Sequence, residues 1–347
     1  MNGHVTTEVE ETVSESEPLL SIRDLTVEFH TYKGSVHAVS GVDLDIERGQ
    51  TVGLVGETGS GKTVTARSIL QLIDDPGRIV DGSIQYKGRD LLDLGRQGMQ
   101  SIRGSEIAMV FQEPKQSLNP VFTVGQQVKL VMRHNLDKSE SELHSRAVEL
   151  MSELGLPDPE EVLTSYPHEL SGGMAQRVLI AIALAGEPDV ILADEPTTAL
   201  DVTIQSQILN LFDRIQDEFD TSILLITHNL GVVNQISDYV NIMYAGQIVE
   251  RGPTEDVFTA PNHPYTNGLL EALPERAKGR IKTIEGDVPD LRNPPEGCRF
   301  ESRCPVAKPE CTSYDPVWTR TGEQREVRCV HYESDRTGSP EAVDNEF

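Results

Sequence analysis

The run Gly56-Glu57-Thr58-Gly59-Ser60-Gly61-Lys62-Thr63 has the residue types that hold a polyphosphate. Its glycines let successive backbone N–H groups turn inward around phosphate oxygens, and a helix opening near Lys62 adds its positive end. Lys62 would supply a point charge to the β- and γ-phosphates, and the Thr63 hydroxyl a ligand for Mg²⁺. Further along, Asp189-Val190-Ile191-Leu192-Ala193-Asp194-Glu195-Pro196 is an apolar strand that ends in two adjacent carboxylates and is stopped by proline. Successive strand side chains diverge, so Asp194 can hold the metal through water while Glu195 faces the attacking water as general base. After an apolar run at residues 222–226 comes Thr227-His228, a histidine placed to reach a γ-phosphate. A third stretch, Leu170-Ser171-Gly172-Gly173-Met174-Ala175-Gln176, puts a serine and two glycines before a helix expected to start near Met174. That is a second anion-binding helix end. Two phosphate-binding ends in one chain point to a shared ligand, and the chemistry is phosphoryl transfer to water.

These residues need an α/β scaffold. β-like runs at residues 25–29, 42–46, 51–55 and 83–86 alternate with the phosphate-loop helix, the first part of a P-loop core. From about residue 98 to 186 the pattern turns helical. Residues 139–154, for example, carry Leu143, Ala147, Leu150, Met151 and Leu154 at three- and four-residue spacing. The core resumes at Asp189 and runs to about Glu250.

With all motifs in this order, the chain resembles the nucleotide-binding subunit of an ATP-binding-cassette (ABC) transporter over roughly residues 19–273. The resemblance implies a P-loop NTPase with a RecA-like α/β core, a helical subdomain that meets membrane subunits, and a small cysteine-bearing C-terminal appendage. The expected boundaries are a disordered acidic leader at 1–19, an ATPase domain at 20–260 with its helical subdomain at about 98–186, the appendage at 261–332, and a disordered tail at 333–347. Gln112, in Phe111-Gln112-Glu113-Pro114, matches the Q-loop that senses metal and γ-phosphate. Residues 170–176 match the signature, Thr198-Ala199-Leu200-Asp201 the D-loop, and His228 the switch histidine. Glu195, His228 and Gln112 are then the catalytic set, and Thr63, Gln112 and Asp194 the magnesium set. ATP would further meet Gly56, Glu57, Thr58, Gly59, Ser60, Gly61, Lys62, Ser171, Gly172, Gly173, Gln176 and Asp201. Phe29 is the expected adenine-stacking aromatic, with Tyr32 as the nearby alternative. In such families the signature of one subunit closes over the γ-phosphate held by its partner, so two ATP molecules join a head-to-tail pair.

Ser117-Leu118-Asn119-Pro120, His263-Pro264-Tyr265-Thr266 and a four-cysteine tail are similar to the ATPase subunits of dipeptide and oligopeptide importers, whose relatives also carry nickel or oligosaccharides. The resemblance implies two membrane permease subunits, a second ATPase that is a sister chain, an extracellular solute-binding protein acting indirectly, and a peripheral place on the cytoplasmic membrane face. Cys298, Cys304, Cys311 and Cys329 are the chain's only cysteines. Disulfides are disfavoured in a reducing cytosol. The resemblance implies a four-iron four-sulfur cluster, although the spacing is not a ferredoxin pattern. Structural zinc, with His331 as a substitute ligand, and uncommitted thiols stay open.

A formal charge of −26 argues against a nucleic-acid partner, because a phosphate polymer would be repelled. Only nine of the thirty basic residues are lysine, and this acidic, lysine-poor surface suits a salt-loving host. The longest wholly apolar run, residues 178–186, is too short to span a bilayer. The stretch between Thr63 and Leu170 leaves no space for the long coiled coil of a DNA-repair ABC ATPase, and one cassette argues against a two-cassette regulatory protein.

Overall fold

A computed structural model describes residues 17–198, 200–273 and 283–333. Most of the expected leader and tail, and Ala199 of the D-loop, lie outside the described residues. At the leader's end Leu19 is already buried, and the first strand starts at Leu20.

Among the described residues, two sheets carry the fold. The smaller is antiparallel, in the order Gly34–Ile46, Leu20–Thr31, Gly77–Tyr86, Arg89–Asp90. The larger has eight strands, and Tyr239–Tyr244, Thr51–Val55, Ser222–Thr227, Val190–Asp194 and Ile107–Val110 form its parallel part. These five strands are covered on both faces, which is why they read as continuous apolar runs. Alternate residues serve opposite cores. Leu54, Leu192 and Ile226 face the antiparallel sheet. Val55, Ala193 and Leu225 instead join the core that includes the helical insert. Parallel pairing also brings the C-terminal ends of Thr51–Val55, Val190–Asp194 and Ser222–Thr227 to one edge, where the phosphate loop, the acid pair and His228 follow directly.

The insert is built of Val124–Asn135, Glu140–Glu153, Pro159–Thr164 and Gly172–Leu184. Thr123 and Ser139 each close a capping box, with Gln126 and Glu142, worth about 1 kcal/mol per cap. Leu143, Ala147, Leu150 and Met151 are buried as their spacing predicts. The expected start of the insert near residue 98 needs correction. Ile107–Val110 is a fully buried edge strand of the core sheet, so the helical unit begins after it. A four-residue apolar run has no period that separates strand from helix.

The C-terminal region is also less separate than a 261–332 appendage suggests. Its hairpin, Trp318–Gly322 and Arg325–Arg328, extends the core sheet by pairing Glu250 with Val327 and Arg251 with Glu326. Glu250 is fully buried, accepts hydrogen bonds from the N–H groups of Asn262 (2.8 Å) and His263 (2.9 Å), and pairs with Arg325 at 3.1 Å. His263 in turn caps Pro264–Glu271 by accepting from the Tyr265 N–H at 3.0 Å.

Candidate nucleotide site

The phosphate loop joins Thr51–Val55 to the helix Lys62–Ile69. A side chain at Gly56 would strike the backbone carbonyl of Met243, and Gly61 has φ 107°, so both positions need glycine. Lys62 is buried and folds over its own loop, donating to the carbonyls of Gly56 (2.8 Å) and Glu57 (2.9 Å). Burial lowers its pKa, against the pull of the Glu195, Asp194 and Glu57 charges. The Ser60 hydroxyl is buried without a hydrogen-bond partner among the described residues.

Asp194 is the last strand residue, and its carboxylate accepts from the Thr63 hydroxyl at 3.0 Å. Burial, with the neighbouring Glu195 charge, raises its pKa although the Thr63 hydrogen bond opposes this. Glu195 turns out of the strand in a left-handed conformation, φ 47°, which is uncommon for a non-glycine residue and separates the two acids. Its carboxylate is held on three sides: by Gln112 Nε2 at 3.1 Å, by the Thr198 hydroxyl at 2.8 Å and by His228 Nδ1 at 2.9 Å. Burial alone would raise its pKa. Hydrogen bonds from His228 and Thr198, with the His228 and Lys62 charges, outweigh that and hold the carboxyl below the usual range. Lys62, Thr63, Gln112, Asp194, Glu195 and His228 are thus one connected group, drawn from four separate chain segments. Thr63 and Asp194 offer hard oxygen donors side by side, the donor type magnesium takes.

The signature lies apart from this group. Ser171 caps the helix Gly172–Leu184, which starts two residues before the expected Met174, by accepting from the Met174 N–H at 3.2 Å. Ser171 and Gly172 are exposed, and Gly172 and Gly173 approach Leu200 and Ile204. Gln176 is buried, its side-chain nitrogen without a partner among the described residues, and so is not on the exposed face with Ser171. Asp201 caps Val202–Phe219, accepting from the Ile204 N–H at 3.0 Å. Phe29 is half-buried, packed against the antiparallel-sheet core beside Gly77. Tyr32, at the turn, is 93% exposed.

The sequence profile of the ABC transporter family matches residues 39–198, and that of the oligopeptide/dipeptide transporter C-terminal region matches residues 249–311. The chain is 46% identical over 320 residues to the oligopeptide transport ATP-binding protein AppD of Bacillus subtilis, covering 91% of this chain and 98% of that protein. The chain belongs to the ABC transporter ATP-binding proteins. A dipeptide transport ATP-binding protein, DppD of Lactococcus lactis subsp. cremoris, is 47% identical over 290 residues, 83% of each chain. Among solved structures, the ATP-binding cassette MJ0796, a dimer in a post-hydrolysis state bound to ADP and Pi, superposes with TM-score 0.62 at 27% identity. That match covers 68% of this chain and 98% of the other. The subunit's reaction is ATP hydrolysis, and its family dimerises and works with membrane permeases. No helix among its described residues is long and apolar enough to cross a membrane.

Residues without an assigned role in the sequence reading also touch the site. The Tyr265 hydroxyl accepts from the Glu57 N–H at 3.0 Å, and Arg303 pairs with the Glu57 carboxylate. The His-Pro-Tyr-Thr motif marked a subfamily but carried no hint of this contact. In the same C-terminal region the four thiols are free and line one small cavity together with His263 and His331. Burial pushes Cys304 up to about 11 and Cys329 to about 12. His331 Nε2 is engaged with the Val306 carbonyl at 2.8 Å. Among the described residues no group of three His, Cys, Asp or Glu is placed to hold a metal ion.

Proposed function

We propose that this subunit powers the import of short peptides, hydrolysing ATP at its own phosphate loop together with a partner's signature. The observation that carries the chemistry is the Glu195 carboxylate, ionised and held by Gln112, Thr198 and His228 within the group that contains Lys62, Thr63 and Asp194. Lys62 leaves its two loop carbonyls for the β- and γ-phosphates, Glu195 takes a proton from the attacking water, and His228 orients Glu195 and reaches the γ-phosphate. Magnesium bound with ATP supplies charge neutralisation across those phosphates, and Thr63, Asp194 and Gln112 are the residues that would hold it. For adenine stacking Tyr32 is the more open of the two candidate aromatics, being almost fully exposed where Phe29 is half-buried. Gln112, next to both Glu195 and the helical insert, would pass the state of the site to the permease.

The peptide cargo is supported by the relatives named oligopeptide and dipeptide transport proteins and by the matching C-terminal region. The permease contact is supported by the start of the insert. There Val121 is 74%, Phe122 47% and Leu130 64% exposed, and Gln127 stiffens the loop by donating to the carbonyls of Asn119 and Phe122 at 3.1 Å. The assembly we propose has two permeases, a sister ATPase chain and this subunit on the cytoplasmic face. Phe122→Asp should reduce co-purification of the permeases at least about tenfold while leaving ATP binding unchanged; undiminished co-purification would move the contact elsewhere.

For the thiols we propose a four-iron four-sulfur cluster held by Cys298, Cys304, Cys311 and Cys329, with zinc as the alternative. Four cysteines confined to one region and lining one small cavity support it, although among the described residues no three of them stand close enough together to hold a metal ion, so the cluster would have to draw the thiols inward. Protein purified without oxygen should contain about four iron and four sulfide per chain, with Cys311→Ser losing both. Stoichiometric zinc and no iron would select the alternative. The acidic, lysine-poor composition supports a high-salt host, a reading that fails if the melting temperature and ATPase rate are the same in dilute buffer and in molar potassium chloride.

A further inference from the structure

Glu57, the second residue of the phosphate loop, is held from outside by the C-terminal region. Its N–H points to the Tyr265 hydroxyl. Its carboxylate receives a two-pronged contact from Arg303, at 2.8 and 3.1 Å. Arg303 also donates to the Tyr244 hydroxyl and the Ile284 carbonyl, each at 3.3 Å, and to the Glu285 carbonyl at 3.1 Å. Its side chain is only 5% exposed, so the guanidinium is fixed rather than sampling solvent. Phe300 packs edge-on against Tyr244, with centroids 5.2 Å apart, and lies 5.4 Å from Tyr265.

Arg299, in the same short segment between Cys298 and Cys304, grips the other end of the loop indirectly. It donates to the Ala245 carbonyl and, at 2.9 Å, to the Ser40 hydroxyl, while the adjacent Gly246 N–H donates to the Ser60 carbonyl at 2.9 Å. The loop is therefore fastened near both ends from one C-terminal segment. The fastening falls on residues that matter for phosphate: Lys62 rests on the carbonyls of Gly56 and Glu57, and the Glu57 N–H held by Tyr265 lies in the same peptide plane as the Gly56 carbonyl.

We propose that Arg303 and Tyr265 are positioning residues for ATP, setting the phosphate loop through Glu57 so that the loop is already arranged when nucleotide arrives. The C-terminal region of this subunit thereby takes part in nucleotide affinity without touching the nucleotide. This rests on the assignment of residues 56–63 as the ATP-binding loop.

The test is equilibrium binding of a fluorescent ATP analogue to the full-length chain, with steady-state hydrolysis measured in the assembled transporter. Arg303→Met should raise the Kd for the analogue, and KM for ATP, about tenfold while kcat at saturating ATP stays within about threefold; Arg303→Lys should recover part of the affinity. Tyr265→Phe, which keeps the packed ring, should raise Kd about threefold. Adding Glu57→Gln to Arg303→Met should bring little further loss, because both remove the same contact. Should Arg303→Met not fold, Tyr265→Phe and Glu57→Gln carry the test on their own. Folded variants with wild-type Kd and only a lower melting temperature would overturn the proposal, as would fully additive effects. Failure of the wild-type chain to bind the analogue would instead remove the nucleotide assignment beneath it.

Discussion

Changing Glu195 to Gln should leave ATP bound and all but abolish its hydrolysis. Glutamine has nearly the same shape, so the hydrogen bonds from Thr198 and Gln112 can be kept in part, and Lys62, Thr63 and Asp194 are untouched. What is lost is the proton acceptor, a loss of about 10²- to 10⁴-fold in turnover. Because hydrolysis is what separates an ATP-joined pair, the variant should also accumulate as a closed dimer. Phosphate release and size-exclusion chromatography with and without ATP would measure the two effects. Turnover at the wild-type rate would remove Glu195 from the role of base. The carboxyl is held below the usual range, so it stays ionised, and therefore competent, as pH falls through that range. Any acid limb that Glu195 sets lies lower.

The second large effect concerns a substitution that should act on another chain. Ser171 and Gly172 are exposed at the start of Gly172–Leu184, where Gly172 lies near Leu200 and Gly173 near Ile204, whereas the phosphate loop is joined to Asp194, Tyr265 and Arg303. A helix N-terminus free of its own nucleotide can serve a partner's γ-phosphate. Gly172→Asp places a negative charge there, so ATP should still bind at Lys62 of the altered chain while hydrolysis at the partner's loop falls by about 10²-fold or more. Site-resolved hydrolysis, with one loop of the pair disabled by Lys62→Ala, reads this directly. A defect confined to the altered chain's own loop would contradict a shared site.

The legible part of this protein lies where local chemistry dictates structure. The phosphate loop needs glycines whatever surrounds it, buried parallel strands must be apolar throughout, and Thr123 and Ser139 announce their helices through capping boxes. The acid pair and His228 were visible for the same reason, each at the end of a buried strand. Other features depend on contacts between distant segments. Ile107–Val110 is a strand because Val190–Asp194 lies beside it, not because of its own pattern. Phe29 and Tyr32 are chemically equivalent candidates three residues apart, and only the packing against Gly77 separates them. Gln176 belongs to the signature by sequence but is enclosed by the fold. Tyr265 and Arg303 meet the phosphate loop only through the fold, because both lie far along the chain from Glu57 and no local pattern links them to it.

ATP-dependent uptake of a labelled short peptide, by vesicles containing the two permeases, the partner ATPase and this subunit with the solute-binding protein supplied, tests the account most directly. The expected result is uptake that requires ATP and stops with Lys62→Ala or Glu195→Gln, while the Glu195→Gln subunit still binds nucleotide. Peptide uptake that continues unchanged with both variants, or a complete assembly that hydrolyses ATP and moves no peptide, would contradict it.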